Sequence, residues 1–260
     1  MIARLVVAAT VLALAGASAL SFGADRPAAG RPILDRVTPS EKRTPAPSAP
    51  ANPGSPGSTV FVPVADPMPS SLPAEGTPPG WTLKEFAGRA DVEIVRTDGQ
   101  LAMRLRSDHS SYALYRDVAF RVEEFPMLSW TWKVVRLPRA GDVRVKYRDD
   151  QAAQLYVIFP RWPAPIQRSD VIGYVWDTTA PVDTRIPSPQ AENIRIIVVD
   201  SGPAQAGVWR RYERNVAEDY AQLFGRKPPR VGKVAVMIDS NDTRSEAEAF
   251  VGPIAFRRWR

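Results

Sequence analysis

The sequence predicts a mainly β protein: a two-sheet sandwich of jelly-roll type with one short helix. Three observations carry this. About ten segments beyond residue 80 alternate apolar and polar side chains, the period of strands with one wet face. No strand–helix–strand alternation occurs, so a doubly wound parallel sheet is excluded. A single segment near 216–224 has its apolar residues at helical spacing.

In chain order, the first hairpin joins 92–97 to 100–107 through Asp98-Gly99, a two-residue link that favours a tight turn. In its second arm Leu101, Met103 and Leu105 alternate with Ala102, Arg104 and Arg106. Strands follow at 112–120 and at Leu128, Trp130, Trp132 and Val134, which alternate with Ser129, Thr131 and Lys133. Val143, Val145 and Tyr147 alternate with Arg144, Lys146 and Arg148, which predicts another strand. The segments 154–159, 171–176, 194–199, 233–238 and 253–258 complete the strand set. Asn215 can cap the helix, with Glu218 three residues on. Val216, Tyr220, Leu223 and Phe224 form its apolar face, and Gly225 suits its C-terminal stop. Two stacked sheets built from such strands give the sandwich.

The chain has 260 residues, with all seven tryptophans and all seven tyrosines beyond residue 80. Residues 81–260 are therefore the predicted domain, long enough to bury a core without covalent staples. Residues 20–80 hold fourteen of the 26 prolines among Gly, Ser, Ala and Thr, with Phe61 the one aromatic residue beyond Phe22. So few large apolar groups cannot offset ordering entropy, and a disordered, semi-stiff spacer is expected. The short run Thr59-Val60-Phe61-Val62 is its one candidate edge strand. Residues 1–19 carry Arg4, an uncharged apolar run from Leu5 to Ala15 and Ala17-Ser18-Ala19, the three parts of a cleaved export signal. The expected location is periplasmic or secreted, with no membrane segment left after cleavage.

Zero cysteine excludes disulfides, thiolate metal sites and cysteine nucleophiles. One histidine, His109, excludes a multi-histidine metal site. A net charge of +6 is interspersed rather than striped, which argues against nucleic-acid binding.

Four segments give the chain its resemblance to known sequences. They are Arg148-Asp149-Asp150-Gln151-Ala152-Ala153-Gln154-Leu155-Tyr156, Ile172-Gly173-Tyr174-Val175-Trp176, Glu213-Arg214-Asn215-Val216-Ala217-Glu218-Asp219-Tyr220, and Val234 to Thr243 with Ala249 to Phe256. Together they resemble a family of exported bacterial proteins called domain of unknown function 3047. Gln154 stands where that family is expected to have arginine. The resemblance implies fold and export and supplies no activity.

Candidate chemistry rests on side-chain type. Trp132, Tyr156 and Trp176 could form an aromatic platform for sugar rings, or a core. Asp149 and Asp150 could hold a sugar hydroxyl, or lie in a solvated turn. Asp239, Asn241 and Asp242 offer oxygen ligands to a structural calcium ion. That loop lacks the glycine and the twelfth-position glutamate of a calcium loop, so a self-bonded turn is the other reading. Glu213 and Asp219 are the candidate acids for a carboxylate-dependent hydrolase. The expected function is a non-enzymatic module that binds a glycan or another envelope component. A hydrolase of envelope polysaccharide and a protein-interaction domain are the alternatives.

Overall fold

The computed structural model describes residues 58–161 and 169–259. The segment expected to be an export signal and most of the Pro-rich spacer lie outside the described residues. The strands are β1 (Thr59–Val62), β2 (Ala74–Glu75), β3 (Thr82–Ala87), β4 (Asp91–Thr97), β5 (Gln100–Asp108), β6 (Ser111–Phe120) and β7 (Met127–Arg136). Then come β8 (Ala153–Phe159), β9 (Asp170–Asp177), β10 (Arg185–Pro187), β11 (Ile194–Ser201), β12 (Arg210–Asn215), the helix α1 (Val216–Phe224), β13 (Val231–Asp239) and β14 (Glu246–Arg257).

They form two seven-stranded sheets. Sheet 1 runs β12-β7-β14-β5-β4-β2, with β1 also on β14. Sheet 2 runs β10-β11-β9-β8-β13-β6-β3. Every pairing is antiparallel except β9 with β11. One edge of β14 serves two partners: β5 pairs as far as Val251, and β1 takes over from Ile254. Pro253 sits at the switch, where it withholds no N–H that either partner uses.

The sandwich expectation therefore holds. The 97–100 turn forms with Asp98 and Gly99 at φ of 50° and 74°. The helix runs over the predicted residues. Asn215 Oδ1 accepts from Glu218 N at 3.2 Å, and Gly225 at φ 66° sends its N–H to Ala221 O at 2.9 Å.

Two expectations change. Val143 to Tyr147 is a loop ending in a single 3-10 turn over Lys146–Arg148. Asp142 dictates this: its carboxylate takes the main-chain N and the guanidinium of Arg144, while its carbonyl takes Val145 N. Those donors are lost to a strand ladder. The folded unit also begins well before residue 81. Thr59–Val62 pairs with β14, and Val62, Val64 and Ala65 are buried with Trp81 in the core. A Pro-rich segment can be ordered this way because an edge strand needs few ladder donors.

The main core lies between the sheets. Trp130, Trp132, Tyr174 and Trp176 meet there, the first two with ring centroids 5.5 Å apart. A second apolar cluster covers the outer face of sheet 2, with Ile158, Val171, Val175, Ile196 and Val198 fully or nearly buried. Val143, Ala180, Ile186 and Ala191, from outside the central strands, pack onto it. Strands β8 and β9 are thus buried on both faces.

Candidate functional site

The outer face of sheet 2 collects the polar groups with the most unusual surroundings. Across β6, β13, β8 and β9 one row reads Tyr115, Ala235, Tyr156, Gly173. Large and small residues alternate, so the two phenol rings lie over their small neighbours. A Cβ on Gly173 would stand 2.7 Å from Tyr156 Cε1 and 2.8 Å from Ile196 Cδ1. Glycine at 173 is what lets the Tyr156 ring settle there.

A hydrogen-bonded chain runs from that ring. The Tyr156 hydroxyl donates to Gln154 Oε1 at 2.5 Å. Gln154 Nε2 donates to Asp239 Oδ1 at 3.1 Å, and the Gln151 main-chain N donates to the same oxygen at 2.7 Å. Gln151 Nε2 continues to Asp149 Oδ1 at 3.2 Å. Next to the chain are two buried hydroxyls, Ser111 Oγ and Tyr115 OH, with no protein partner among the described residues. Ser111 is the register neighbour of Asp239.

Burial together with the neighbouring Asp150 and Asp149 carboxylates pushes the Asp239 carboxyl well above the usual range. Burial pushes Asp149 up to about 7, helped by Asp242 and Asp150. Burial likewise raises the Tyr156 phenol, and the Asp149 and Asp239 charges add to it. Groups shifted by desolvation and by specific neighbours mark functional-site candidates. Asp239 Oδ1 accepts both of its hydrogen bonds, and Asp149, near 7, is poised between its two protonation states at neutral pH. Donors and acceptors on an aromatic, apolar floor suit a ligand rich in hydroxyls. The half-exposed residues Arg148 and Asp149 bring the cluster to solvent.

The sequence candidates divide. Tyr156 and Asp149 belong to this cluster, and Asp239 joins them from the calcium candidates. Trp132 and Trp176 do not: both are fully buried between the sheets. Register decides this, because Trp176 pairs with Ala153 and so shares the inner face, while Tyr156 faces outward. Asp150 turns away from Asp149 and accepts Asp242 N at 3.1 Å and Thr243 N at 2.6 Å. It closes the 240–243 loop and leaves no free carboxylate there. In the candidate calcium loop Asn241 Nδ2 donates to Asp242 Oδ1 at 3.3 Å, and Asp239 Oδ1 accepts from Gln151 N and Gln154 Nε2. Among the described residues no three His, Cys, Asp or Glu side chains gather as a metal site requires. Gln151, Gln154, Ser111 and Tyr115 escaped sequence reasoning as ligand groups, since amides and hydroxyls carry no spacing signal. Trp162 lies outside the described residues. Trp209 is partly buried and donates from Nε1 to Asp98 Oδ2 at 3.0 Å.

Glu213 and Asp219 do line one cavity, of about 220 Å³, with Arg185 and Arg214. Both are engaged there. Arg214 grips Asp219 through Nε at 2.9 Å and through Nη2, and Tyr174 OH donates to it at 2.8 Å. Arg257 holds Glu213 at 2.7 Å.

Two facing antiparallel-rich sheets with a polar patch on one outer face make this a β-sandwich protein. The chain belongs to the family described as protein of unknown function (DUF3047), whose model matches residues 79–255. No curated protein matches it in sequence. Among solved structures it is similar to the family 11 carbohydrate-binding module of cellulosomal cellulase Lic26A-Cel5E of Clostridium thermocellum. That match has 9% identity and a TM-score of 0.39, covering 73% of this chain and 97% of that chain. It is also similar to the xyloglucanase domain of NopAA, a type three effector from Sinorhizobium fredii, at 8% identity and TM-score 0.40, covering 79% and 98%. A third is the family 11 xylanase from Neocallimastix patriciarum, at 9% identity and TM-score 0.34, covering 76% and 95%. These are distant likenesses of chain course.

Proposed function

We propose that this protein is an exported, non-enzymatic module that binds a glycan of the cell envelope where Arg148 and Asp149 bring the buried outer-face cluster of sheet 2 towards solvent. One observation carries the reading: buried hydroxyls of Ser111 and Tyr115 without protein partners, beside the Tyr156–Gln154–Asp239 chain. Buried polar groups almost always find a partner, and a sugar hydroxyl both donates and accepts. The terminal signal and the Pro-rich spacer support placement in the periplasm or outside the cell.

The test is a glycan array and a peptidoglycan pull-down with the purified full chain. Binding is expected, and Tyr156→Phe and Gln154→Ala should each weaken it by about tenfold, the worth of one or two hydrogen bonds. Tyr156→Phe should keep its thermal midpoint within a few degrees, since it preserves the ring, whereas Gln154→Ala should lower it by leaving Asp239 and Tyr156 short of a partner, so its binding is read well below that midpoint. A blank array and pull-down, or binding indifferent to both substitutions in folded protein, overturns the reading.

A further inference from the structure

A different cavity, of about 450 Å³, opens beside the end of β8, the starts of β9 and β11 and the last turn of α1. Arg161, Arg195 and Arg226 line it with Asp170 and Phe224. The buried Asp170 carboxylate is saturated. It accepts Arg161 Nε at 2.9 Å and Nη2 at 2.7 Å, Arg226 Nη2 at 2.6 Å, and the Tyr220 hydroxyl. Two guanidinium groups therefore share one carboxylate. The third, Arg195, bonds only main-chain carbonyls among the described residues, those of Glu192 and Ile194. Arg195 and Arg226 both pack against Phe224, lying 5.3 and 5.7 Å from its ring centroid. Glu192, which is exposed, is the other acid on the wall.

Three guanidinium groups and two carboxylates, Asp170 and Glu192, line one cavity, which leaves its wall with one positive charge in excess, that of Arg195 having no carboxylate partner among the described residues. Guanidinium groups match tetrahedral oxyanions with paired donors, and cost least together when an anion sits among them. We propose that this cavity binds a phosphate group, carried on a soluble molecule or on a lipid headgroup. The site lies on other residues than the glycan face, so either can fail without the other.

The experiment titrates the full chain with inorganic phosphate and follows the arginine Nε–H resonances by NMR. A saturable shift of Arg161, Arg195 and Arg226 is expected, larger than with chloride at equal ionic strength. Arg195→Gln removes the guanidinium that has no carboxylate and leaves the Asp170 pairs in place, so affinity should fall about tenfold with the fold retained. Arg195→Lys, which keeps the charge without the fork, should lie between. Arg89→Gln, on a fully exposed side chain elsewhere, should change nothing. Vesicles of phosphatidic acid in phosphatidylcholine assign the source. Binding that phosphate competes away places the group on a lipid, and phosphate binding without vesicle binding places it on a soluble molecule. An equal response to chloride, or equal affinity in wild type, Arg195→Gln and Arg195→Lys, overturns the proposal.

Discussion

The outer faces of the two sheets solve the same problem differently. Both begin as the non-core side of alternating strands. On sheet 1 that side stays charged and ion-paired, with Glu93 and Lys133 themselves buried in their pairs. Arg104 bonds Glu93 at 2.9 Å and Glu248 at 2.7 Å, Arg106 bonds Asp91 at 2.8 Å, and Lys133 bonds Asp98 at 2.5 Å while lying over the Phe250 ring. On sheet 2 the corresponding side is apolar and covered, and its few polar groups are buried, amide-linked or orphaned. A wet face holds charge cheaply and gives up little when one pair is lost. A covered face makes each polar group matter, and this is where recognition chemistry concentrates.

The largest expected effect is a pair of truncations. Ile158→Ala, on the covered face, should cost about 2–5 kcal/mol by chemical denaturation, as core truncations do. Val135→Ala, outward on sheet 1 and 43% exposed, should stay within about 0.5 kcal/mol. Equal costs would erase the contrast between the faces. Next comes Gly173→Ala. Its new methyl meets Tyr156 and Ile196, so the predicted loss is about 1–3 kcal/mol, accompanied by displaced Tyr156 ring signals in NMR. Unchanged stability and ring signals would mean that Tyr156 does not rest on that glycine.

The smallest effect is a pH slope. Burial holds Asp149 near 7 and raises Asp239 as well, both above the ordinary value near 4 that they regain on unfolding. Between these values the folded chain holds more protons than the unfolded chain, so stability falls as pH rises from about 4 through 7. Asp142 acts in the opposite sense. Arg144 holds it down to about 2, so its contribution is present above pH 4 and lost as pH falls towards 2. The thermal midpoint should therefore rise by roughly 5 °C between pH 8 and pH 5. Asp149→Asn should flatten that slope while Asp239 keeps part of it. A midpoint that falls on acidification over this range contradicts the assigned burial.

Much of the fold was legible locally. The Asp98-Gly99 turn, the alternation of β5 and β7, and the capped helix 216–224 each follow from neighbours within a few residues. The edge strand β12 was not, because its sequence Arg210-Arg211-Tyr212-Glu213-Arg214-Asn215 is mostly polar and pairs only with β7. The loop at 143–148 was misread because its alternation is real, while Asp142 redirects the backbone donors. Of the site, Asp149, Tyr156 and Asp239 were visible as side chains worth watching, in separate segments.

By itself the sequence determined the period of each strand, the limits of the helix and the absence of thiol and multi-histidine chemistry, since these depend on residue type and short-range geometry. Tertiary structure alone decided which face each aromatic ring occupies and which acids meet. A one-residue change of register moves a side chain to the opposite face of a sheet, and register between β8, β9 and β13 is fixed by packing across the whole sandwich. That is why Trp176 is core, Tyr156 is not, and Asp149 and Asp239 share one hydrogen-bonded chain although ninety residues of sequence separate them.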